Sequence, residues 1–143
     1  MAKNSGCWAN ALDHCRGSLT GEHLISVAVW AVREGQRANR KNKLRRQVRI
    51  DGDPRRAGKS HTTNVRGLTA DILCEHHNNS SNALDEEGGR FARAIEDWHR
   101  ANKARSWAPR LNWNRRTCTV NGPLLERWFL KTAINNAFVH GDL

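Results

Sequence analysis

The sequence predicts an α+β fold, one modest zinc-stabilised domain with helices added at its C-terminal end. Three observations predict it. Cys74 and His77 stand two residues apart in Leu73-Cys74-Glu75-His76-His77-Asn78-Asn79, where a turn entering a helix brings two side chains to one metal. Strand-like stretches, short and interrupted by glycine and polar residues, occupy the chain ahead of that motif. Helical periodicity takes over behind it.

Taken in order, the first sixteen residues carry Cys7 and Cys15 with seven residues between them, a wider gap than the usual two-residue knuckle. The pair fits either a metal site or two unrelated buried thiols. Cys15-Arg16-Gly17-Ser18 has the composition of a metal-binding turn, because glycine lets backbone amides fold back towards a thiolate. Leu19 to Ser26 reads as a short strand containing Gly21-Glu22-His23, and Val27 to Val32 as a buried apolar segment, strand or helix.

From Arg33 to Arg49 lie eight basic residues and one acid, Glu34. With little apolar periodicity, this is an exposed loop or frayed helix, and Arg37, Arg40, Lys41, Lys43, Arg45 and Arg46 are candidates to contact phosphate. A solvated, self-repelling loop is the plainer alternative. Val48 to Pro54 reads as a strand running into a turn, Arg55 to Thr63 as a loop, and Asn64 to Leu73 as the approach to the Cys74 motif. In that motif His76 competes with His77 as a ligand; the two-residue interval favours His77.

Ser80, Ser81 or Asn82 can cap the next helix, and Asp85, Glu86 and Glu87 suit its positive end. Leu84, Phe91, Ile95 and Trp98 form its apolar face, and Gly88-Gly89 should weaken its middle. Residues 99–117 interleave Trp107 and Trp113 with arginines, a pattern that can stack on bases or fill a core. Cys118 is expected to be a buried free thiol. Asn121-Gly122-Pro123 opens a last helix whose apolar side is Leu124, Leu125, Trp128, Phe129, Ala133 and Ile134, suited to core packing or a partner contact.

The bulk properties narrow the partner. Lys and Arg number 24 against 14 Asp and Glu, a formal charge of +10, which favours a polyanion and most simply nucleic acid. No apolar run reaches the ~18–20 residues that span a bilayer, and no charged start leads into an apolar leader, so no membrane partner is expected. A cytoplasmic location follows, where four cysteines more often mean metal than disulfide. The oligomeric state is left open.

Cys15, Gly21-Glu22-His23, Asn64 and Cys74-Glu75-His76-His77-Asn78, in that order, resemble an HNH endonuclease of the ββα-metal fold built on a zinc-stabilised treble clef. The Cys7-x7-Cys15, Gly-Glu-His-Leu-Ile-Ser, Ile-Leu-Cys-x2-His-Asn and Ala-Leu-Asp stretches are more narrowly similar to a group of uncharacterised bacterial and phage HNH-like proteins. The resemblance covers about residues 7–95. It implies a domain over 1–98, including the basic loop 33–49, and a basic, tryptophan-bearing helical extension over 99–143. It further implies a metal-dependent DNA endonuclease with structural Zn²⁺ on Cys7, Cys15, Cys74 and His77. His23 would be the general base, Asn64 would orient it or support its loop, and Glu22 and Asn78 would hold a catalytic Mg²⁺ or Mn²⁺. Oxygen ligands suit such a hard cation, and cysteine and histidine suit zinc. A catalytically silent zinc-bound module that binds nucleic acid is the competing expectation, and a toxin or partner-binding protein using the last helix is a third.

Overall fold

The computed structural model describes residues 6–30, 47–51, 57–109 and 117–141. Its centre is a two-stranded antiparallel sheet of β1 (Leu19–His23) and β4 (Thr69–Cys74). Between them in sequence come α1 (Val27–Trp30) and a separate antiparallel pair, β2 (Gln47–Ile50) with β3 (His61–Asn64). The candidate phosphate contacts Arg37, Arg40, Lys41, Lys43, Arg45 and Arg46 lie outside the described residues. The loop expected from Arg55 to Thr63 is strand from His61 onward, because Thr62 and Thr63 suit a ladder against Val48 and Arg49.

β1 and β4 pair from Leu19↔Cys74 and Thr20↔Leu73 to Gly21↔Asp71, Glu22↔Ala70 and His23↔Thr69. The register slips at Thr20/Gly21 and leaves Ile72 as the extra residue of a bulge. Strict alternation would turn every second side chain to solvent. The bulge instead lets Ile72, Leu73 and Cys74 be buried in succession. Leu73 and Cys74 then pack with Cys7 and Ala9 in the apolar nucleus, flanked by Trp8, Cys15 and Leu19.

Behind β4 come α2 (Glu75–Ser80) and α3 (Asn82–Trp107), separated at Ser81. The expected side-chain cap is not made there. Ser81 takes a helical conformation and its hydroxyl donates to the Asn78 carbonyl at 2.8 Å, bonding back into the preceding turn. Residues 99–107 continue α3 without a break, so the boundary expected at 98 falls inside one helix.

Gly88 and Gly89, expected as a weak point, are buried inside an unbroken α3. A Cβ at Gly88 would collide with the Trp128 indole, and one at Gly89 would come within 2.6 Å of Ala28 Cβ. The glycines trade helix propensity for close approach of two neighbouring helices. The apolar face expected along α3 is correspondingly wrong beyond Phe91. Ile95 is 41% exposed and Trp98 61% exposed, whereas α4 (Gly122–His140) meets α3 at Asp85, Gly88 and Phe91.

α4 starts as expected, with Asn121 Oδ1 accepting from the Leu124 amide at 3.2 Å and Pro123 in the first turn. Its inward stripe is different from the apolar one expected. Trp128, Lys131 and Asn135 are buried, at helical spacings of three and four, whereas Phe129 is half exposed and Ala133 exposed. Two polar residues at the centre of a packed helix need partners. They find them in the sheet.

Candidate metal centre

Three segments bring four ligands together. Cys7 precedes a 3₁₀ turn over Trp8–Leu12, and its carbonyl accepts from the Asn10 amide at 2.9 Å. Asp13 and His14 then both take positive φ, 61° and 62°, reversing the chain towards Cys15. That turn and reversal account for the wide Cys7–Cys15 interval. Cys74 ends β4, and His77 lies in the first turn of α2, as their spacing predicts.

The Cys15–Ser18 segment straps onto the start of α2. The Ser18 carbonyl accepts from the Glu75 amide at 3.0 Å, and that of Arg16 from the His76 amide at 3.2 Å, satisfying donors a helix start leaves open. Gly17, at φ +77°, lies so close that a Cβ would come within 2.6 Å of the Glu75 carboxylate. The backbone of His77 and Arg16 and the side chains of Cys15 and Cys7 surround the Cys74 sulfur. They bring the Cys74 thiol below its ordinary value although burial, the largest influence, pushes the other way.

The ligand atoms of Cys7, Cys15, Cys74 and His77 all lie within 4.8 Å of one another. His77 Nδ1 is 3.5 Å from Cys7 Sγ, 3.6 Å from Cys15 Sγ and 3.3 Å from Cys74 Sγ. A tetrahedral ion with Zn–S near 2.3 Å and Zn–N near 2.0–2.1 Å places S and N about 3.5–3.6 Å apart. The observed separations fit the edges of such a site, and the four residues can hold one metal ion such as zinc. The thiols by themselves resist ionisation together. Cys15 is pushed up to about 11, first by burial and then by Cys7 and Cys74 beside it. A bound cation is what allows neighbouring thiolates to coexist.

The other residues singled out in the sequence go to several places. Asn78 follows His77, and its side-chain amide donates to Thr20 Oγ1 at 2.8 Å, tying α2 to β1. Asn64 ends β3, where its Oδ1 accepts from the Gly67 amide at 2.9 Å and caps the 3₁₀ turn Val65–Gly67. His23 ends β1 opposite Thr69 and is half buried. Cys118, expected to be buried, is exposed and stands apart from the cluster.

Glu22 is buried, and Lys131 Nζ donates to its Oε1 at 2.7 Å. The same ammonium donates to Asp85 Oδ2 on α3 at 2.8 Å. Asn135 Nδ2 adds longer contacts, at 3.4 Å, to Glu22 Oε1 and the His23 carbonyl. Its Oδ1 accepts from Trp8 Nε1 at 2.9 Å. Burial is the main influence on Glu22 and raises its carboxyl above the ordinary value, with Lys131 pulling the other way. Glu22 and Asn78, expected on one cation, are therefore engaged by different partners. Sequence reasoning missed Lys131, Asn135 and Asp85. The available signal was Lys131 and Asn135 at helical spacing from Trp128, on one side of the C-terminal helix.

Among the described residues no helix is long and apolar enough to cross a membrane. No protein-family model matches the chain, and no curated protein or solved structure matches it significantly.

Proposed function

We propose that the chain is a metal-dependent DNA endonuclease of the HNH type, with a treble clef whose zinc ligands are Cys7, Cys15, Cys74 and His77. The observation that supports this reading is the convergence of those four side chains where β1, β4 and α2 meet. Asn78 follows the last ligand directly, and His23 closes the far end of β1, opposite Thr69. His23 would take the proton of the attacking water, for which an unperturbed imidazole value of about 6.5 is suited. Asn64 would act through the turn it caps, next to the start of β4 and opposite the His23 end of β1. The basic segment around Arg37, Arg40, Lys41, Lys43, Arg45 and Arg46 would hold the phosphate backbone.

A bound Mg²⁺ or Mn²⁺ would offset charge on the phosphate and the leaving oxygen. Glu22 and Asn78, each engaged elsewhere, do not fit a shared ion as they stand. The Glu22–Lys131 pair favours a second reading, the catalytically silent zinc-bound module that binds nucleic acid. Plasmid nicking with Mg²⁺ or Mn²⁺, native protein against His23→Ala, separates the two. The nuclease reading expects the variant to lose cleavage while keeping its fold and DNA binding. A variant that cuts as well as the native protein would overturn it. If neither cuts with any divalent metal while DNA binding persists, the silent module replaces it.

A further inference from the structure

We propose that α3, beyond Gly89, binds single-stranded nucleic acid along one face, made by Arg93, Arg100, Lys103 and Trp107. α3 buries Glu87, Gly88 and Gly89, and none of its residues beyond them. Most helices in proteins draw their stability from a packed apolar face. This part of α3 instead presents its side chains to a partner.

At about 3.6 residues per turn, intervals of seven, three and four set Arg93, Arg100, Lys103 and Trp107 in one line. All four are exposed, Trp107 at 81%. The line runs about 21 Å along the helix axis. Glu96 lies on it as well and accepts from Arg100 Nε at 3.1 Å. Arg93 and Lys103 have no ion-pair partner among the described residues. Three cations thus stand against one acid.

A single exposed tryptophan needs no explanation. One that closes a line of cations does, because an occupant has to answer both. It must carry negative charge at intervals and offer flat faces to the indole. A single strand presents phosphates and unstacked bases in alternation, and stacking of bases on an aromatic ring tolerates any sequence. A duplex has the same phosphates but keeps its bases stacked within, so it would leave Trp107 uncovered. An acidic protein segment would answer the cations alone.

The opposite side of α3 supplies the contrast. Trp98 lies nine residues before Trp107, two and a half turns away, and is 61% exposed. It follows Phe91 and Ile95 at helical spacing, so its stripe is apolar where that of Trp107 is charged. The inference deepens the functional reading and rests on its nucleic-acid half, which the nuclease and the silent module share.

The test is fluorescence anisotropy of the zinc-loaded chain with two labelled probes, an oligothymidylate and a duplex of equal length. Trp107→Ala should weaken oligothymidylate binding at least about fivefold, the lower end for one stacked base, and leave the duplex unchanged. Trp107→Phe keeps an aromatic face and should recover most of the loss. Arg93→Gln, Arg100→Gln and Lys103→Gln should each flatten the salt dependence of single-strand binding by about 0.7 in log–log slope. Trp98→Ala should bind like the native protein. Should the alanine variant lose its circular dichroism, Trp107→Leu replaces it, apolar but without a stacking face.

Native protein that ignores the oligothymidylate overturns the inference, and so does a Trp107→Ala variant that binds it unchanged. A loss as large in Trp98→Ala, or equal losses on both probes in Trp107→Ala, overturns it too. If Trp107→Ala alters only self-association in sedimentation, the indole is a protein contact and the inference falls. Nicking measured alongside keeps the two ideas apart. Cleavage that depends on His23, with single-strand binding indifferent to Trp107, retains the nuclease and removes this face. Binding that depends on Trp107, with no cleavage by any form, retains the face and removes the nuclease.

Discussion

Soft ligands gather at one end of the β1–β4 pair, where Leu19 faces Cys74, and hard ones at the other, where Glu22 faces Ala70. Cys7, Cys15, Cys74 and His77 link the N-terminal turns to the start of α2. Glu22, Asp85, Lys131 and Asn135 link the same sheet to α3 and α4. Both clusters tie together segments far apart in sequence, so both offset loop-closure entropy with a few directed contacts. They differ in what holds them. The first has four donors and can take its cation from outside, whereas the second carries its cation on its own chain. The first can therefore couple folding to a metal ion such as zinc, and the second ties α4 to the sheet through one lysine.

The harshest way to break this comparison is to empty the soft end. Cys74→Ala removes a ligand that is fully buried and central to the apolar nucleus. Structural zinc contributes an apparent ~10–16 kcal/mol in small domains, more than most domains have to spare. The variant should lose stoichiometric zinc and its far-UV circular dichroism, and strong chelators should lower the melting temperature of the native protein. A melting temperature indifferent to chelation would leave the four residues as an ordinary thiol cluster.

The hard end should break more gently. Lys131→Ala leaves Glu22 buried without its main counter-charge, a loss of about 3–5 kcal/mol for pairs of this kind. Adding Glu22→Gln removes the stranded charge, so the double variant should be more stable than Lys131→Ala alone. Denaturant unfolding of the four forms gives the coupling directly. Additive losses would show that Lys131 and Glu22 do not depend on each other.

The two ends also differ in how far they could be read from residues alone. Cysteine and histidine at close spacing announce a metal because few other uses need them, and Cys74 and His77 are placed as that spacing predicts. The Cys7–Cys15 interval gave no such cue, since its meaning lies in a 3₁₀ turn and two left-handed residues. Glutamate, lysine and asparagine carry no comparable cue. On a helix they usually mark the wet face, and only the packing of α4 turns Lys131 and Asn135 inward. Gly88-Gly89 misled for a similar reason: local propensity marks a weakness that tertiary contact with Trp128 and Ala28 reverses. Helix starts depend on local chemistry, and the Asn121-Gly122-Pro123 start was legible.

A smaller change tests whether α4 docks on shape as well as charge. Gly88→Ala sets a methyl against the Trp128 indole, and overpacking of this kind costs about 1–3 kcal/mol. The gain in helix propensity of about 1 kcal/mol from replacing glycine works against it. Calorimetry should show a net loss, with the zinc content unchanged. A variant more stable than the native protein would mean that the helices can part without penalty.

The slightest effect expected is on the pH dependence, and it bears on the charge left over at the hard end. Glu22 has its carboxyl raised above the ordinary 4.5, chiefly by burial and against the pull of Lys131. A raised carboxyl means that folding favours the protonated form. Its contribution to stability is then fully present below about 4.5 and is lost as pH climbs through the raised value. Acid also weakens metal binding at the soft end, because protons compete with the metal for its ligands, so the native protein alone would show both processes at once. Glu22→Gln keeps the soft end and removes only this titration. The difference in melting temperature, native minus variant, should therefore shrink as pH rises above the ordinary glutamate value. A constant difference would mean that Lys131 fully offsets the burial of Glu22, and that the hard end, like a filled metal site, is already neutral where it matters.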